Sequence, residues 1–266
     1  MIKILFINAV LLLISLQLQA GWVIVEQTRY AGSDEPLESR LYIQDNMVKS
    51  VDDEQIFIFD LERWQLTYVS PRHQGYWTGS PAGYLRFVKE FTIEMLEDEI
   101  SRADRYERPV LEALYDDLVM DLEAGEDAVE LVGELPVEIV MTDQVAMVAG
   151  YRSNRYLVYY DGTMAEEVWL TPDIKMKDEY DFERFRLFID EMSWGGMFAD
   201  YRSSEAYIHL MKSGFPMRTV EEDQEGLPVV TEVVSVENRP LELSEFIPPK
   251  GYRPMKLVEL AAGIEW

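Results

Sequence analysis

The fold of this chain is decided by the stretch YRSNRYLVYYDGTMAEEVWL, residues 151–170. Two strand-like runs, 151–160 and 165–170, lie on either side of Asp161-Gly162. An Asp-Gly pair between such runs is a strong signal for a tight β-hairpin. The stretch therefore predicts two antiparallel strands that are neighbours in a sheet.

Strand patterns continue on both sides of this hairpin. Trp64, Leu66 and Tyr68 alternate with polar residues, which is the period of a half-buried strand. Turn residues such as Asp45-Asn46 and Asp52-Asp53 separate the runs. The other predicted strands are 22–28, 36–44, 46–51, 55–60, 63–69, 74–78, a run starting at 137, 144–148, 215–220 and 229–236.

Helical patterns interrupt the strands at two places. Ser80 and Pro81 are typical of a helix start, and apolar residues follow at helical spacing to about residue 106. A second helix is predicted from Pro109 to Gly125, a third over 182–192 and a fourth over 204–212. The order of elements predicts an α+β fold in which one large antiparallel sheet packs helices on one face.

Composition limits the classes of function. The chain has 266 residues, 24 basic and 50 acidic, with a formal net charge of −26 and no cysteine. Such a charge repels phosphates, so we expect no nucleic-acid partner. Without cysteine there are no disulfides and no zinc–thiolate sites. The excess of acid either serves solubility or attracts a basic envelope protein, and the 11 acids and one base between Glu107 and Glu138 form a candidate docking face.

The first twenty residues have the layout of a secretory signal peptide. Lys3 precedes a mostly apolar run from Ile4 to Leu16, and Ala20 offers a cleavage point. No later apolar run has the ~20 residues that a membrane span needs. We therefore expect export to the periplasm and a single mature domain over residues 21–266, with a helical insertion at about 80–125.

No motif for catalysis, metal binding or cofactor binding is recognisable. The two histidines, His73 and His209, are far apart, and no nucleophile elbow or phosphate loop occurs. Asp52–Glu54 and Glu221–Asp223 are acid triplets, but neither matches a calcium loop. We expect no enzyme, metal or cofactor, and a hydrolase that uses two carboxylates is a remote alternative.

Four short motifs in order resemble an uncharacterised bacterial exported domain family. They are G-Y-x-x-x-x-Y-x-V at 150–158, E-x-W at 167–169, G-x-P at 214–216 and P-x-G-Y at 249–252. That family is similar to the periplasmic lipoprotein carrier LolA and its outer-membrane receptor LolB. The resemblance implies a strongly curved antiparallel sheet, an open half-barrel, with helices on its concave face over an apolar cavity.

The cavity implied by the resemblance predicts a binding site for a lipid, an acyl chain, including that of a lipoprotein, or an apolar protein segment. Ten residues are predicted for its wall and lid: Trp64, Leu66, Tyr68, Phe87, Phe91, Met95, Tyr156, Val158, Trp169 and Phe188. The same residues can instead fill the core with no ligand. A third reading is an interaction module that docks a basic partner on its acidic helices.

Overall fold

A computed structural model describes residues 20–33, 35–124, 136–176, 179–192, 201–223 and 226–262. The predicted signal peptide, apart from Ala20, lies outside these residues. Twelve strands form one sheet in the order β12-β6-β5-β4-β3-β2-β1-β11-β10-β9-β8-β7. The strands are β1 (Gly21–Tyr30), β2 (Leu37–Gln44), β3 (Met47–Val51), β4 (Ile56–Asp60), β5 (Gln65–Ser70), β6 (Gly75–Gly79), β7 (Val137–Val148), β8 (Tyr151–Tyr160), β9 (Thr163–Thr171), β10 (Phe215–Glu222), β11 (Pro228–Arg239) and β12 (Arg253–Pro254).

Tight turns set the register of the hairpins. Asp45 and Asn46 have φ values of 51° and 61°, and Asp161 and Gly162 have 47° and 73°. Two successive residues with positive φ make the turn that matches the twist of a two-stranded hairpin. Tyr160 consequently faces Thr163 across the turn, as the Asp-Gly signal predicts.

The sheet is open and almost wholly antiparallel, with only β12 and β6 parallel. Register shifts between Val25 and Glu26 against β11, and between Pro216 and Arg218 against β9, mark bulges near its centre. Bulges increase local twist and bend a strand, which helps a long sheet to curl. The predicted α+β fold, a curved half-barrel with helices on its concave face, is confirmed.

Five α-helices accompany the sheet within the described residues. They are α1 (Pro81–Arg102), α2 (Arg108–Ala124), α3 (Phe182–Met192), α4 (Glu205–Ser213) and α5 (Leu257–Ala261), with short 3-10 turns at Tyr201–Ser203 and Leu243–Phe246. The main core lies where α3 meets the sheet and contains Phe59, Leu66 and Phe188. A second core joins α4 to β8 and β9.

The segment from Leu241 to Tyr252 covers the other side of the sheet. Its Leu241 and Phe246 pack on Val23, Ile56 and Val69. The Gln44 side chain bonds the Leu241 backbone twice, at 2.7 and 3.2 Å, and Lys49 Nζ donates to the Glu245 carbonyl at 2.7 Å. Burial lowers the pKa of Lys49. After this segment the chain forms the two-residue strand β12 and the short helix α5.

Several element boundaries differ from those predicted, including the following three. Helix α1 stops at Arg102 instead of about residue 106. Strand β5 begins at Gln65 because Trp64 has a φ of 54° and Asp60 Oδ1 accepts the Arg63 N–H at 2.9 Å, which makes a turn. Residues 137–148 form one strand with an irregular register between Met141 and Val145, whereas two separate runs were predicted.

Candidate ligand-binding face

Helix α1 is placed over the sheet by its first turn. Ser80 caps it, because its Oγ accepts the Gly83 N–H at 3.1 Å, and Pro81 occupies the first turn. Tyr84 and Phe87 then pack with Tyr68 of β5 and with Leu260 of α5. The N-terminal half of α1 thus forms a lid over the β4–β6 part of the sheet.

Aromatic rings join this lid to the sheet. Tyr84 lies 5.9 Å from Phe57, and Phe57 lies 5.3 Å from Tyr68, between ring centroids. Edge-to-face and tilted pairs at such distances are favourable. Burial raises the pKa of Tyr84 to about 12, so its hydroxyl stays neutral at physiological pH. The contact between lid and sheet is therefore apolar in character.

A carboxylate of α3 ties the lid in place. Glu191 Oε2 accepts the Trp64 indole N–H at 2.6 Å, and Glu191 Oε1 accepts the backbone N–H of Ala82 at 3.2 Å. The first bond holds the β4–β5 turn, and the second holds the N-terminus of α1, where a negative charge is favourable. One side chain thereby connects three elements around the candidate face.

Six of the predicted residues lie around this lid. Trp64 and Phe188 have ring centroids 5.1 Å apart, and Leu66 packs in the same core. Tyr68 and Phe87 share the cluster under α1. Phe91 stacks on Phe87 at 5.7 Å, one turn further along. Leu66 and Phe188 are fully buried, whereas Phe87 and Phe91 keep partial exposure.

Of the other four predicted residues, one lies further along α1 and three are placed elsewhere. Met95 is half-buried towards the end of α1. Tyr156 and Val158 belong to the separate core under α4, with Tyr207 and Leu210. Trp169 lies between Val168 and Leu170, which contact α4, so alternation directs it to the opposite face of the sheet. Its indole N–H donates to Glu167 Oε1 at 2.6 Å.

A buried acid beneath α4 was not anticipated from the sequence. Glu166 is only 2% exposed, and its Oε2 accepts the Tyr201 hydroxyl at 3.1 Å. Tyr207 also hydrogen-bonds this carboxyl group. The alternation of strand residues could have predicted this burial, because Glu166 shares its strand face with Val168 and Leu170. Burial raises the pKa of Glu166 despite the opposing effect of Arg202.

Glu166 also faces a second acid across the strands. Its register partner on β10 is Glu221, which forms an ion pair with Arg202. A carboxylate hydrolase needs two acids that face a cleft. Here one acid is enclosed by tyrosines and the other is neutralised by arginine. This arrangement stabilises the contact of α4 with the sheet and gives no support to hydrolysis.

Stability should respond to the ionisation of Glu166. A carboxyl group whose pKa is raised on folding above its ordinary 4.5 binds protons more tightly in the folded state, so its contribution is present below pH 4.5 and lost as pH rises through the folded pKa. We expect Glu166→Gln, which can still accept from both tyrosines, to gain stability relative to the wild type as pH increases. Urea unfolding from pH 4 to 8 measures this, and parallel pH profiles of the two proteins would contradict it.

No group of three or more His, Asp or Glu side chains in the described part of the chain is arranged to hold a metal ion. The acid triplets noted in the sequence therefore do not assemble into a larger ligand set there. Asp52 instead uses its Oδ1 to accept the backbone N–H groups of Glu54 and Gln55, at 2.9 and 2.7 Å. Its side chain closes the turn between β3 and β4.

Residues 122–252 match a known family model. The family is described as a domain of unknown function (DUF4412). The match runs from the end of α2 to Tyr252 and contains all four motifs on which the sequence resemblance rests. The predicted likeness to an uncharacterised domain family is confirmed over these residues. A search of curated proteins finds no match.

Three solved structures are among those to which this chain is similar. PNGF-II aligns over 91% of this chain at 12% identity and a TM-score of 0.39, and this chain covers 32% of it. The MucA/MucB complex of Pseudomonas aeruginosa aligns over 87% of this chain at 9% identity and a TM-score of 0.37, and this chain covers 56% of the matched chain. A putative outer membrane lipoprotein-sorting protein domain from Vibrio parahaemolyticus aligns over 85% of this chain at 11% identity and a TM-score of 0.29, and this chain covers 88% of it. The chain spans about a third of the first of these structures and just over half of the second.

Within the described residues, none of the helices combines the length and apolar character that a membrane crossing requires. Helix α1 is the longest at 22 residues, but charged residues such as Arg86, Lys89 and Glu90 interrupt its sequence.

Proposed function

We propose that this protein is a non-enzymatic binding protein of the bacterial periplasm. Its ligand is apolar, either an acyl chain of a lipid or lipoprotein or an apolar segment of another protein. The ligand would lie between the lid helix α1 and the sheet. The observation that carries the proposal is the stacked pair Phe87 and Phe91, which extends the apolar seam between lid and sheet and stays partly exposed.

The contacts that hold α1 against the sheet can be replaced by contacts with a ligand. Phe87 packs with Tyr68 and Leu260 through apolar contacts, which are not directional. The polar tie through Glu191 consists of two hydrogen bonds at one end of α1. A ligand that replaces protein contacts along Phe87, Phe91 and Met95 would recover apolar burial at about 25 cal/mol per Å². Movement of α1 away from the sheet would therefore open a binding site that is larger than the space between the packed side chains.

The proposed roles follow from these positions. Tyr68 and Trp64 form the wall, Phe87, Phe91 and Met95 form the lid, and Leu66 and Phe188 support both from below. Tyr156 and Val158 lie in the second core and would extend the apolar surface only if α4 moved. Trp169 lies on the face of the sheet that points away from α4, and we give it no role in this proposed site.

A dansyl-labelled fatty acid tests the proposal on the mature protein. We expect its fluorescence to rise on binding to the wild type, because the dye leaves water. The double variant Phe91→Ser, Met95→Ser should bind at least about tenfold more weakly, a loss of about 1.4 kcal/mol. Both side chains are only half-buried, so the fold should survive.

Ile247→Ser is the matched control, because Ile247 is also apolar and exposed but lies on the covering C-terminal segment. Its affinity should equal that of the wild type. If all three proteins bind the fatty acid equally, the site is not under α1. If none binds it, and a labelled apolar peptide also fails to bind, the proposed function is wrong.

A further inference from the structure

The outer face of α2 carries apolar side chains that no other described part of the chain covers. Val110, Leu114 and Met120 are 71%, 36% and 68% exposed. Val110, Ala113 and Leu114 are neighbours on one side of the helix. Asp117 follows Ala113 by four positions, and Met120 follows Asp117 by three, so both continue the same side. An exposed apolar strip of this kind on a folded helix is a common mark of a partner site.

Helix α2, which carries this strip, packs with its opposite side against α1. Leu118 of α2 and Leu96 of α1 are buried where the two helices meet. The Tyr115 hydroxyl donates to Glu97 Oε1 at 2.9 Å and adds a polar contact between the helices. The strip is therefore presented by a fixed helical hairpin, which reduces the entropy that a partner would lose on binding.

The charges around the strip define the chemistry of its partner. Asp117 lies within it, Glu112 and Asp116 are exposed on the same helix, and Arg108 is the single base of α2. Arg108 is at the first position and donates to the Ala103 carbonyl at 3.4 Å. With a net charge of −26, a second copy of this chain and an anionic membrane surface are both repelled.

We propose that the outer face of α2 docks a basic amphipathic helical segment of another protein. Apolar side chains of that segment would pack on Val110, Leu114 and Met120, and its Lys or Arg side chains would approach Asp116 and Asp117. This is the helix-on-helix mode of peptide recognition, in which apolar anchors give affinity and charges give selectivity. The site is separate from the proposed ligand-binding face, so either proposal can fail without the other.

The test uses a labelled synthetic helical peptide of leucine and lysine, with all leucines on one side. Fluorescence anisotropy with the mature protein should show binding that weakens as salt is raised. Val110→Ser with Leu114→Ser should weaken binding at least tenfold. Asp116→Asn with Asp117→Asn should weaken it and flatten the salt dependence. Leu243→Ser, which changes a leucine that is 78% exposed elsewhere, should have no effect.

Several results would overturn the proposal. One is equal affinity of the wild type and the Val110, Leu114 double variant. Another is equal binding of a peptide in which every lysine is replaced by glutamate, because charge complementarity would then have no role. A third is a failure of the wild type to bind the peptide at all. Self-association of the wild type that the double variant abolishes, or binding to phosphatidylglycerol vesicles through the same residues, would assign the face to a different occupant.

Discussion

Phe188→Ala is expected to lower the free energy of unfolding by about 3–5 kcal/mol, the range for truncation of a fully buried phenylalanine. Phe188 has no exposed surface, and its ring centroid lies 5.6 Å from that of Phe59 and 5.1 Å from that of Trp64. Truncation leaves a cavity where α3, β4 and the β4–β5 turn meet. Because the same helix carries Glu191, the tie to α1 should weaken as well.

Urea unfolding followed by tryptophan fluorescence measures this loss. Leu187→Ala on the same helix is the matched control, since Leu187 is half exposed and its truncation should cost less than about 1 kcal/mol. If the two variants lose similar stability, the core between α3 and the sheet is not packed as described.

Gln44→Leu is expected to lower the free energy of unfolding by about 2–6 kcal/mol. The Gln44 side chain is buried, and it satisfies both the N–H and the carbonyl of Leu241. Leucine has a similar size but leaves both backbone groups without that partner, at about 1–3 kcal/mol for each buried group. The C-terminal segment should then separate from the sheet and uncover Val23 and Ile56.

Gln65→Leu provides the comparison for this variant, because Gln65 is half-buried at the start of β5. Its stability should stay within about 0.5 kcal/mol of the wild type. Limited proteolysis adds a second readout, and we expect faster cleavage after residue 240 in Gln44→Leu alone. Unchanged stability and unchanged cleavage would show that the segment is held by other contacts.

The strands and long helices could be predicted because their signals are local. Asp45-Asn46 and Asp161-Gly162 adopt the positive φ values that their turns need, and Ser80-Pro81 starts α1 as expected. The end of α1 was predicted about four residues too late, because the residue that ends it, Ala103, is not a helix-stop residue such as glycine. Short elements such as β12, with two residues, and α5, with five, have too few residues for a period to emerge.

Contacts between distant parts of the chain could not be predicted. Gln44 and Leu241 are separated by 197 positions, and neither carries a signal for the other. The tie from Glu191 to Trp64 and Ala82 likewise depends on how α3 crosses the sheet. For the candidate site, residue type could not assign Trp169 and Val158 to opposite faces of the sheet, because the face that a strand residue occupies depends on the register with its neighbours. The role of the predicted residues in binding stays a prediction.

Native mass spectrometry shows directly whether the protein holds an apolar ligand. The protein is purified without detergent from its own cells, and bound molecules are then extracted and identified. We predict an added mass that is a lipid or an apolar peptide and that is lost in Phe91→Ser, Met95→Ser. If only the mass of the polypeptide is found, and this mass is unchanged after incubation with fatty acid or apolar peptide, the protein does not hold an apolar ligand.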